Sequence, residues 1–193
     1  MLTLDLTAVP ELQTERLHLR GITNADAPAV FALRSDPVAM RFVPRPLART
    51  IDDSMAHIEH MHAERAAGNA VTWAIARDGD PAMIGIIGLH AMQKEHHRAE
   101  MGYMLLPAYW GQGFITEALA AVVHHTFNVF HFHSIEAHVD PRNIGSVRVL
   151  EHNGFVREGL LRENFLHEGR FRDTAIYGKI RPGSTADATH ADH

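Results

Sequence analysis

The chain has 193 residues, 46% hydrophobic and 21% charged, with a formal net charge of −5 and no cysteine. Its length suits one well-packed domain, and its charge disfavours nucleic acid, which selects clustered Lys and Arg. Without cysteine there are no disulfides, thiolate metal ligands or thiol nucleophile; without an apolar run of roughly 18 residues or a signal pattern, a cytoplasmic protein that neither spans nor binds a membrane is expected.

"TERLHLR" alternates Leu17 and Leu19 with polar residues, as a half-buried strand does. Asn24 is expected to cap a helix reaching about Arg34, and Asp36-Pro37 to restart a short one. Thr50 and Asp53 have capping-box spacing ahead of Ile51, Met55 and Ile58, with a stop near Gly68-Asn69. Strands are expected at 70–76, 82–92 and 98–106. The stripe Ile115, Ala118, Leu119, Val122, Val123, Thr126, Phe127 and Phe130 then predicts an amphipathic helix. "SIEAHV" reads as a strand and "NIGSVRVLEH" as a helix stopped by Asn153-Gly154. The chain closes with a hairpin turning at His167-Glu168-Gly169, and the polar tail 183–193 is expected to be disordered.

Between the third of those strands and the long helix stands "WGQGF". Glycines at a strand-to-helix turn allow backbone N–H groups to face an anion. The loop lacks the Lys-Ser/Thr of a Walker phosphate loop, because Phe114-Ile115 follow Gly113. It also lacks the third glycine of a dinucleotide fingerprint, where Thr116 stands. Taken alone it is equally a plain turn.

In order along the chain come "TERLHLR", "IGIIGL", "AEMGYMLL" with "WGQGF", "SIEAHVD" with Asn143 and Ser146, and "LLREN…GRFRDTAIY". Together these resemble the GNAT superfamily of acetyl-CoA-dependent N-acetyltransferases, in particular its ribosomal-protein N-terminal acetyltransferase branch (RimJ/RimL-like). The resemblance covers about residues 12 to 181. It implies an α/β (α+β) single domain over residues 1–182, with a mixed, mostly antiparallel sheet of about seven strands and flanking helices. It also implies acetyl-CoA as co-substrate, direct attack by an amine in a ternary complex, and no metal. By the same resemblance, Gly111, Gln112, Gly113, Phe114, Ile115 and Thr116 would offer amides to the coenzyme's pyrophosphate. Ile115 stands where the family loop usually has Gly or Ala, so its side chain must point away. The backbone of Met104, Leu105 and Leu106 would pair with the pantetheine arm, with Leu105 N–H as oxyanion donor, and Asn143 would hydrogen-bond that arm. Asn143 also fits a helix N-cap.

Direct transfer asks for a base, a polarised carbonyl and a proton for the leaving thiolate. Glu100 is the first candidate base, then His138, then His90; a salt bridge from Glu100 to Arg98 is the structural alternative. Ser146 is the candidate thiolate donor by resemblance, with Tyr177 ranked below it. "HIEHMHAER" has no metal-site pattern, and His57 with His60 reads as a solvated helix face. The stiff basic loop "FVPRPLART", with Arg41, Arg45 and Arg49, would border the acceptor site in such a family and could contact acidic groups on a substrate. Three acceptor readings stay open: a protein N-terminus, a small amine (polyamine, amino acid or antibiotic), or none, in a non-catalytic acyl-CoA sensor. An open end strand leaves room for a homodimer.

Overall fold

The computed structural model describes residues 2–167 and 169–183. Strand residues whose alternate side chains meet a common core form one sheet of eight strands. These are β1 (Leu12–Gln13), β2 (Leu17–Gly21), β3 (Val71–Arg77), β4 (Asp80–Gln93), β5 (Arg98–Leu105), β6 (Ser134–Val139), β7 (Val156–His167) and β8 (Arg170–Ile180). They lie in the order β1-β2-β3-β4-β5-β6-β8-β7, and every pair is antiparallel except β5 with β6. The mixed, mostly antiparallel fold is therefore as expected. The extra strand is β1, whose two residues are too few to show an alternation.

Four helices flank the sheet: α1 (Ala27–Ser35), α2 (Ile51–Ala66), α3 (Phe114–Asn128) and α4 (Ile144–His152). The stripe read from the sequence is the buried face of α3, where Ala118, Leu119, Val122, Val123, Thr126 and Phe127 meet the main core. Each large apolar side chain so buried is worth about 1.5–3 kcal/mol. A second, smaller cluster joins Val30 of α1 and Ile58 of α2 to Ala74 and Met83 on the other face of the sheet. Continuous burial along Trp73–Ala76 follows, since β3 is covered on both sides.

Thr50 and Asp53 do form a capping box at the start of α2. Two expectations fail. Asn24 caps no helix: a single 3-10 turn, Asn24–Asp26, capped by Thr23, precedes α1, whose own N-cap is Asp26, and the Thr23 N–H donates to Asp26 Oδ2 at 2.8 Å. Asp36-Pro37 starts no helix. Asp36 Oδ1 accepts from the N–H of Val38 (2.6 Å) and Ala39 (3.0 Å), and the chain continues as turns because Pro44 and Pro46 stop any ladder. Glu168 at the expected hairpin turn, and residues 184–193 of the expected tail, lie outside the described residues. No helix among the described residues is long and apolar enough to cross a membrane.

Candidate active site

The sheet is split at its centre. β5 and β6 pair only where Arg98, Ala99 and Glu100 face Ser134, Ile135 and Glu136, and then separate. A cleft of about 1240 Å³ opens beyond that point. Its walls are the far halves of β5 and β6, the start of α3, the start of α4, and the loop 37–47. The expected loop "FVPRPLART" thus borders the cleft through Arg41 and Arg45, whereas Arg49 does not line it.

At the start of α3 the backbone turns through two left-handed glycines, Gly111 (φ 72°) and Gly113 (φ 81°), a region that residues with a Cβ enter at a cost. Among the described residues, the N–H groups of residues 111–116 donate to nothing, and the first intrahelical bond is Glu117 N–H to Gly113 O at 3.1 Å. Six free donors at a helix N-terminus suit an anion. A Cβ at Gly111 would meet no atom within 4 Å, so that approach is open. Ile115 packs partly buried against the main core. Gln112 is held at both ends: its side chain donates to Ala108 O (3.0 Å), and its carbonyl accepts from Arg16 Nη1 (3.0 Å). Arg16 also donates to Glu117 through Nε at 2.7 Å, which ties the first turn of α3 to the residue just before β2. Thr116 faces a separate recess, and its carbonyl accepts from Asn153.

Just past the end of β5, the Leu106 N–H donates to Ile84 O on β4 at 2.9 Å. Successive strand N–H groups point to opposite edges, so that of Leu105 points to the β6 side. Trp110 Nε1 already donates to Leu105 O at 2.7 Å. Of the three backbone positions expected to pair with a ligand arm, Leu106 and, two residues before it, Met104 are therefore turned to β4, where Met104 faces Ile86; Leu105 alone points its N–H to the β6 side, although Met104 also lines the cleft.

Asn143 and Ser146 both line the cleft, and Asn143 is also the N-cap of α4, its Oδ1 accepting from Ser146 N–H at 3.2 Å. Ser146 Oγ stands 2.8 Å from the hydroxyl of Tyr103. Burial pushes the Tyr103 phenol up to about 12, against the bond from Ser146, which lowers it. Sequence reasoning missed Tyr103; its only signal was a place on β5 facing the same side as Met101 and Leu105. Tyr177 is not in the cleft: it is buried in the core with its hydroxyl 3.3 Å from Glu151.

The three candidate bases do come together. His90 Nε2 lies 3.3 Å and His138 Nδ1 3.7 Å from Glu100 Oε1, while His138 Nε2 lies 3.8 Å from Glu136 Oε2. His138 lines the cleft; Glu100 and His90 do not, and Glu100 stays behind His138 with its side chain 20% exposed. Burial would raise the Glu100 carboxyl, but the hydrogen bond and charge of His90, then His138 and Arg98, hold it below its ordinary value. Arg98 pairs with Glu136, not with Glu100 as the sequence suggested. Glu100, Glu136 and His138 bring ligand-type atoms within 4.8 Å of one another, with the Arg98 guanidinium already seated on Glu136. His57 is not on a solvated face: it is half-buried, 3.3 Å from Arg34 Nη1, and burial pushes it down to about 4.

Residues 16–156 match the family model described as the acetyltransferase (GNAT) domain. The chain is 35% identical over 173 residues to the uncharacterized N-acetyltransferase YoaA of Bacillus subtilis, covering 90% of this chain and 98% of that protein. It is 28% identical over 121 residues to a spermidine N(1)-acetyltransferase of Vibrio cholerae, covering 63% of this chain and 70% of that one. Among solved structures, Mycobacterium smegmatis RimJ in complex with CoA-disulfide superposes with a TM-score of 0.76 at 26% identity, over 89% of this chain and 86% of that chain.

Proposed function

Because this chain belongs to the GNAT acetyltransferase family, we propose that it moves the acetyl group of acetyl-CoA onto the N-terminal α-amine of a protein or peptide, in a cytoplasmic ternary complex. The observation that carries this reading is the row of free N–H groups at residues 111–116, opening on a cleft between two separated strands. The RimJ likeness favours the ribosomal-protein-type branch. The spermidine relative supports a polyamine acceptor as the second reading.

Bound acetyl-CoA supplies an activated thioester. The residues fit that group: amides 111–116 for its phosphates, with the Leu105 backbone N–H and the Asn143 side chain on the cleft that would take its arm. The Leu105 N–H is the donor for the carbonyl oxygen as negative charge grows there. The C–N bond forms as the C–S bond breaks, so the amine gives up a proton and the sulfur takes one. His138, in the cleft, accepts the amine's proton, and Glu100 and Glu136 on either side hold its ring and the charge it gains. An α-amine, with a pKa of about 7.7–8.0, asks less of that base than a lysine near about 10.4. Ser146, hydrogen-bonded to Tyr103, donates to the leaving sulfur.

The test is calorimetric titration with acetyl-CoA, followed by mass spectrometry of peptides with free or blocked N-termini. Coenzyme binding and acetylation confined to the free α-amine are expected. Binding with turnover of spermidine alone would replace the peptide by the polyamine, and no coenzyme binding would end the reading.

A further inference from the structure

The cleft carries a charge opposite to that of the whole chain. The protein has a formal net charge of −5, yet Arg41, Arg45, Arg142, Arg170 and Arg172 line the cleft against one carboxylate, Asp140. Arg142 is spent on that carboxylate through Nε at 2.8 Å and through Nη2, and Arg172 lies close enough to help hold Asp140 below its ordinary value. Among the described residues, Arg41, Arg45 and Arg170 have no carboxylate partner.

The excess is not balanced behind the loop either. Arg34 is half-buried without an acidic partner among the described residues, and its guanidinium is pushed down by burial and then by Arg45. Burial, Arg34, His60 and Arg45 push His57 the same way. Arg41 and Arg45, on a loop stiffened by Pro37, Pro44 and Pro46, and Arg170, at the start of β8, thus face the cleft with no carboxylate partner among the described residues, a field prepared for an anion from outside.

Resting on acetyl transfer in this cleft, we propose that the acceptor carries carboxylates close behind its amine, and that Arg41, Arg45 and Arg170 are the subsite that reads them. The substrate class is a peptide whose free N-terminus is followed by Asp or Glu. Guanidinium forks match carboxylates geometrically, which gives selectivity as well as attraction. The same field opposes a polyamine, whose every group is cationic.

The experiment compares two peptides that differ only in Asp and Glu against Asn and Gln at their second and third positions, with spermidine as a third arm. Wild type and the variants Arg45→Gln/Arg170→Gln and Arg170→Gln are used; both positions are exposed, so folding is retained. Two readouts are taken: acetylation kinetics, and calorimetric binding of N-terminally blocked forms of both peptides to the CoA-saturated protein.

We expect the acidic peptide to have a KM about tenfold lower per guanidinium engaged, with kcat nearly equal. The advantage should shrink with added salt and fall about a hundredfold in the double variant, where Arg41 alone remains, while affinity for acetyl-CoA stays the same. Equal binding of acidic and amide peptides overturns the inference, as does spermidine outcompeting the acidic peptide. A loss of acetyl-CoA affinity in the variants would also overturn it, by giving the arginines to the coenzyme. Selective binding of the acidic peptide with no acetylation of either leaves the subsite standing and removes the α-amine reading instead.

Discussion

Replacing Gly111 by Asp tests the coenzyme site with little disturbance of the fold. The backbone there sits at φ 72°, and a Cβ would meet nothing within 4 Å. The substitution therefore costs only the left-handed penalty, about 1–2 kcal/mol. In a domain of this size that lowers Tm by roughly 2–8 °C. Its effect on binding is larger. A carboxylate about 4 Å from a phosphate charge is repelled by about 4 kcal/mol at an effective dielectric of about 20. It also competes for the free N–H groups of residues 111–116. Allowing for screening and movement of the side chain, at least about 2 kcal/mol should survive, a weakening of about 30-fold. Gly113 is a poorer choice, because a Cβ there approaches Arg16 Nη2 at 3.3 Å and that guanidinium would mask the new charge. The control is Gly111→Ala, which carries the strain without the charge. Calorimetric titration with acetyl-CoA should leave the alanine variant close to wild type. An aspartate variant that binds within threefold of the alanine variant would refute the anion cradle.

Tyr103→Phe should lower kcat by roughly 10-fold to 100-fold with unchanged acetyl-CoA affinity, because Ser146 loses the hydroxyl 2.8 Å away that orients it. A phenol pushed up to about 12 stays protonated over the working range, so in the wild-type pH profile this group should cause no alkaline loss until the pH nears that value. Stability should fall in acid in two stages, followed by chemical denaturation at stepped pH. The folded His57 ring sits near 4 rather than 6.5, so its contribution is complete above pH 6.5. As the pH drops toward 4 it is lost, by up to about 3 kcal/mol, and His57→Gln should flatten that part of the curve. Asp26 acts below that range: burial would raise its carboxyl, but Arg20 (2.7 Å) and Thr23 hold it low, so its contribution persists above its unfolded pKa and disappears only as the pH falls through its folded one. Asp26→Asn, which breaks this nearly buried pair, should cost about 3 kcal/mol at neutral pH; a cost near zero would show the pair to be incidental.

Much of the fold was legible because its signals are local. The Thr50–Asp53 box, the apolar stripe of α3 and the alternating strands each declare themselves within a dozen residues. The Asp36-Pro37 segment misled because a capping residue and a first-turn proline are necessary for a helix but not sufficient; Pro44 and Pro46, several residues on, decide the outcome. The site was half legible. Gly111 and Gly113 announce a backbone requirement by their type. Tyr103 gave no such sign, since its pairing with Ser146 joins residues 43 apart in sequence. His57 looked solvated for the same reason: the guanidinium that faces it, on Arg34, belongs to a different helix.

The parting of β5 from β6 has a mechanical side. Among the described residues, the backbone ladder that joins the β1–β5 half of the sheet to the β6–β8 half is only three residue pairs long, helped by the N–H groups of His133 and Ser134 donating to His97 O. A sheet cut almost through its middle presents two raw edges where most proteins tolerate edges only at the rim. Here they face each other across a slot that the proline-stiffened loop 37–47 borders. Anything laid along the slot acts as a ninth strand and closes the seam. Amide hydrogens on the far half of β6 should then exchange more slowly, and the melting temperature should climb with ligand concentration, by the equivalent of about 2.7 kcal/mol at a hundredfold excess over Kd.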